Sequence, residues 1–100
     1  MREITKVSEI QTNDLIDYLR IYDFDENDVN LLKNMLTVAK TFIQGYTGHT
    51  AEELDNYSDF VIVVFVLVQD MWDNRTLYVD KSNLNTVVDT ILGMHSVNLL

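Results

Sequence analysis

The sequence predicts a small all-α protein: a single domain in which three main helices follow a short one. Three observations predict it. Proline is absent and glycine occurs only at Gly45, Gly48 and Gly93, so the chain lacks the breakers that a turn-rich β fold needs. From Val29 the apolar positions run Val29, Leu32, Leu36, Ala39, Ile43 and Tyr46, a 3-4-3-4-3 spacing that keeps them on one helix face. The apolar run at 60–68 lies inside a segment, 58–75, that holds no Gly or Pro. That segment is longer than the roughly 3–10 residues of an ordinary strand.

Residues 1–11 form a mixed leader with Ile4, Val7 and Ile10, compatible with a short helix, an arm or an edge strand. Thr12 or Asn13 is placed to cap a helix over about 14–20, because its side-chain oxygen accepts from free backbone N–H groups. Leu15, Ile16 and Leu19 are its apolar stripe. An acidic connection follows, with Asp25 and Asp28 at the positive end of the next helix.

That helix starts near Val29 and carries a second stripe, Leu31, Met35, Val38 and Phe42, beside the first. A helix apolar on two flanks needs partners on two sides. Gly48 is its expected C-terminal stop. Thr50 and Glu53 match a capping box. The β-branched residues of 60–68 suggest a buried strand, but the breaker-free length favours one central helix over 58–74. Residues 76–83 read as a loop or short strand pair. Ser82 or Asn83 is placed to cap a last helix, about 84–94. The tail, 95–100, ends apolar.

Charge excludes several functions. Lys and Arg number 7 against 16 Asp and Glu, a net charge of −9. Tight salt-dependent binding of nucleic acid needs many cations to neutralise phosphates, and docking on an anionic membrane needs a basic patch. The apolar run of nine residues is under half the length, about 20, of a membrane span, so no membrane association is expected. No cysteine is present, which removes disulfides and thiolate sites. The N-terminal segment does not resemble a secretion signal.

No catalytic or metal constellation emerges, and neither enzymatic activity nor a cofactor is expected. Residues 23–27 imitate the start of a calcium loop, but Asp28 and Asn34 stand where Gly and Glu are required. His49 and His95 have no suggestively spaced partners and read as surface or capping residues. Trp72 and Arg75 lie about one turn apart. They fit either a core Trp with an Arg capping carbonyls or an anchor between subunits, since both residue types are enriched at interface hot spots.

The order of several segments carries a resemblance. A short helix ends in Tyr18-Leu19-Arg20-Ile21. An acidic loop carries Asp25 and Asp28. A long helix holds Ala39-Lys40 and closes in Tyr46-Thr47-Gly48, and after a polar gap an apolar helix ends in Trp72-Asp73-Asn74-Arg75. Over about residues 8–94 the chain resembles the head–tail connector (DNA-packaging, head-completion) proteins of tailed bacteriophages. It departs from their pattern in its Val- and Ile-rich third helix, in Asp73 where an aromatic is common, and in lacking a proline before the last helix.

The resemblance implies a ring of about twelve copies, built by a head-to-tail interface whose rotation closes. The ring would sit in the virion neck, after synthesis in the host cytoplasm. Its partners would be the portal protein, a downstream neck or stopper protein, and double-stranded DNA passing through without sequence-specific binding. Candidate assembly residues are Leu31, Met35, Val38, Phe42, Trp72 and Arg75. Arg20 and Lys40 join them as cations able to offset repulsion between acidic copies. The alternative is a small acidic adaptor or DNA-mimic regulator that binds another protein.

Overall fold

The structure, a computed structural model, describes residues 2–97. Four α-helices account for most of them: α1 (Thr12–Leu19), α2 (Glu26–Thr47), α3 (Asp59–Asn74) and α4 (Thr86–His95). Among the described residues there is no strand, as the all-α reading expects. None of the helices is long and apolar enough to cross a membrane.

Helix α3 is the centre, packing against α1, α2 and α4. Phe60, Val61, Val63, Val64, Phe65, Leu67, Val68 and Met71 are all buried along it. Its valines therefore satisfy helix packing on several sides, and that tertiary burial overrides their strand preference. Leu32, Met35, Ala39 and Ile43 face it from α2, and Leu15 and Ile16 from α1.

Local chemistry sets each boundary. Asp25 and Asp28 exchange bonds at the start of α2: the Asp28 N–H donates to Asp25 (3.0 Å), and the Asp25 N–H donates to Asp28 (3.2 Å). Gly48 ends α2 at φ 81°, a left-handed conformation that glycine adopts without Cβ strain. Thr50 and Glu53 form the expected reciprocal box, but it opens a 3-10 turn at Glu53–Asn56 that buries Leu54.

Helices α1 and α3 both end on arginine. Arg20 (φ 56°) and Arg75 (φ 53°) are left-handed. The following N–H groups reach back from Ile21 to Ile16 O (3.1 Å) and from Thr76 to Met71 O (3.0 Å). These are Schellman closures made without glycine.

Three expectations are corrected. The cap of α1 is Gln11 rather than Thr12 or Asn13, because the Asp14 carboxylate accepts the Gln11 N–H at 2.8 Å and starts the helix earlier. The 76–83 segment forms no strand pair. Asp80 accepts from the Ser82 N–H (3.1 Å) and the Asn83 amide (2.8 Å), winding a 3-10 turn at Lys81–Asn83. That turn occupies Ser82 and Asn83, so α4 is capped by Asn85, which accepts from the N–H groups of Val87 and Val88.

The leader is docked rather than a free arm. Val7 and Ile10 are buried around a 3-10 turn at Val7–Glu9. Arg2 pairs with Asp14 (3.1 Å), and Ser8 bonds to Asp55 through both its hydroxyl and its N–H. Of the 95–100 tail, residues 98–100 lie outside the described residues.

Candidate interaction surface

The second apolar stripe of α2 meets the chain that returns from α3. Val38, Thr41 and Phe42 form one wall of an open groove of about 310 Å³, and Leu77, Tyr78 and Val79 form the other. No lining residue is charged. Leu31, Val38 and Phe42 are half-buried, while Leu77 and Tyr78 are 48% and 64% exposed. At 3.6 residues per turn, Asn27, Asn34, Thr41 and Gly45 extend this flank toward solvent. Lys33 and Lys40 lie on the other side of α2.

The expected assembly residues therefore separate. Leu31, Val38 and Phe42 share the half-covered flank. Met35 does not join them: it is 0% exposed, and its place is the core against α3, so it is withdrawn as a surface residue. The reason is angular, since Met35 stands between the two stripes and turns inward with Leu32 and Ala39. Lys40 is part of an intrachain set around Asp55. That carboxyl is held below its ordinary value chiefly by the Ser8 hydroxyl, and also by the Ser8 N–H, Lys6 and Lys40.

Trp72 and Arg75 do come together. The Arg75 guanidinium lies 4.0 Å from the centre of the Trp72 ring, a cation–π contact, while the Arg75 backbone closes α3. Arg20 closes α1 in the same manner and stays exposed.

The two histidines tie α4 to the end of α2 and to the start of α3. His49 Nε2 lies 2.6 Å from the His95 carbonyl. A carbonyl only accepts, so this nitrogen carries the proton. His95 Nε2 lies 2.9 Å from Asp59, Tyr57 stacks 4.4 Å from the His95 ring, and the Val97 N–H donates to Thr47 O at 2.7 Å. Among the described residues, no three His, Cys, Asp or Glu side chains are grouped to hold a metal.

Sequence reasoning missed two surfaces. On α4, Val87 (58% exposed) and Met94 (67%) flank half-buried Ile91. Their i, i+4, i+7 spacing is legible in the sequence, but the inward residues Val88 and Leu92 masked it. The other is the loop after α1, where Tyr22 (88% exposed) and Phe24 stand among Asp23, Asp25 and Glu26.

No family model matches the chain, and no curated protein or solved structure matches it.

Proposed function

We propose that the chain is a non-enzymatic assembly subunit, a connector that forms a ring between the portal and the neck of a tailed phage and extends the DNA channel. The observation that carries this reading is the groove between α2 and residues 77–79. It is apolar, open and uncharged in a chain of net charge −9. Like-charged copies repel across most of their surfaces, and a charge-free apolar flank is where they approach at least cost. The order of motifs from Tyr18 to Arg75 supplies the phage assignment and the ring of about twelve, a closed head-to-tail assembly. The acidic surface suits a channel along which DNA slides without adhering, since few cations are offered to phosphate.

The test is to mix the purified chain with the portal protein of its phage and image the product by electron microscopy. A ring seated on the portal is expected. A chain that never joins the portal would defeat the assignment.

A second reading, a small acidic adaptor, is favoured by one observation: Tyr22 and Phe24 project from a loop rich in carboxylates. It predicts a monomer or dimer that binds a basic, DNA-binding protein directly.

A further inference from the structure

Among the described residues, the outer face of α4 is a ridge without a partner. Val87, Ile91 and Met94 lie on it at the spacing by which helices seat in grooves, and Thr90 is exposed beside them. The ridge carries no charge. Asp89 is the one acidic residue between 81 and 100. It points to α2, where it accepts the Tyr46 hydroxyl at 2.6 Å. No residue of α4 lines the groove of Val38, Phe42 and Leu77, so the chain owns two separate apolar, charge-free surfaces, one convex and one concave.

We infer that the α4 ridge of one copy seats in the α2 groove of the next. This rests on the assembly reading above and names its contact. Charge selects the occupant. A basic partner gains nothing from these neutral faces and is drawn to the acidic ones, whereas a second acidic copy is tolerated only where neither side presents charge. Shape selects the mode. Val87 to Met94 spans about 10 Å of helix, and Thr37 to Phe42, along the groove, spans about 7 Å, so the groove takes about two turns' worth of side chains from the ridge. A ridge and a groove at different places on one chain pair head-to-tail, which gives rings or filaments and not two-fold dimers. Each contact is small against the roughly 800 Å² per partner of a standard interface. Closure holds each copy from both sides and makes up the difference.

The experiment uses three full-length proteins: wild type, a ridge variant Met94→Asp, and a groove variant Thr41→Glu. Both substituted side chains are exposed, and circular dichroism checks that each variant folds. Thr90→Glu replaces the ridge variant should it not. Masses are measured by light scattering at matched concentrations. Wild type is expected to form a closed oligomer and each variant alone to stay monomeric. A mixture of the two variants is expected to give only a weak 1:1 dimer, populated at high concentration and growing no further, because one intact ridge and one intact groove remain and no ring can close.

Variants that oligomerise like wild type would overturn the ridge-in-groove contact while leaving the assembly reading standing. A groove variant that self-associates while the ridge variant does not would point to ridge-on-ridge pairing and overturn it as well. A wild-type chain that stays monomeric, with or without portal, would overturn both.

Discussion

The hydroxyl of Tyr46 donates to Asp89 at 2.6 Å, and this one bond ties the end of α2 to the start of α4. It also takes up the single carboxylate of the α4 region. The bond and the adjacent Asp89 charge hold the Tyr46 phenol above its ordinary value of 10.0. A group raised in the folded state contributes stability that is fully present below that value and lost as pH rises through the folded one. Tyr46→Phe should therefore cost roughly 0.5 kcal/mol at neutral pH, small because the pair is exposed. Thermal melts should show the difference shrinking in strongly alkaline buffer. A difference that persists unchanged there would mean the bond is not its source.

Met35 and Phe42 were read from the sequence as one stripe and should behave oppositely. Met35→Ala opens a cavity against α3, with a loss of about 2–5 kcal/mol. Phe42→Ala should cost clearly less in the isolated chain and should weaken assembly more. Denaturant titration beside mass measurement separates the two. A stable Met35→Ala protein with a specific assembly defect would put Met35 back on the surface.

The two arginine caps give a matched pair. A side chain at positive φ costs about 1 kcal/mol or somewhat more, so Arg20→Gly should stabilise the chain by several tenths of a kcal/mol. Arg75→Gly relieves the same strain but loses the contact with Trp72, worth about 0.5–1 kcal/mol at an exposed site. It should come out near neutral. Equal gains in melting temperature for the two variants would show that the guanidinium over Trp72 contributes nothing.

The leader should be acid-labile. Asp55 is held below its ordinary 3.8, first by the Ser8 hydroxyl. Its contribution is present above that value and lost as pH falls through the lower folded one. Ser8→Ala should move the acid unfolding midpoint to higher pH and raise amide exchange over residues 2–10. An unshifted midpoint with unchanged exchange would remove the Ser8–Asp55 bond from the account of how the leader is held.

The long elements were legible because their signals repeat. The breaker-free segment from 58 to 75 and the spacing from Val29 to Tyr46 each override a single ambiguous position. Caps were less legible. Asp25, Gly48 and Thr50 act as their residue types suggest, but the cap of α4 moved because Asp80 competed for Ser82 and Asn83. No sequence pattern tells whether Ser82 and Asn83 accept at a helix start or, as they do, donate to Asp80. The apolar groove was half legible for a related reason. The stripe Leu31, Val38 and Phe42 is local, whereas its opposite wall, Leu77 to Val79, arrives from a loop about forty residues later. The arginines at positive φ carried no signal, since glycine or asparagine is the usual residue there.

The most direct measurement is sedimentation velocity of the full-length chain over a wide concentration range. Burial of the uncharged α2 and α4 faces between copies predicts a monomer that converts to one closed oligomer, sharpened by added salt as repulsion between acidic copies is screened. A single monomeric species at every concentration and salt, with those faces left in water, would contradict it.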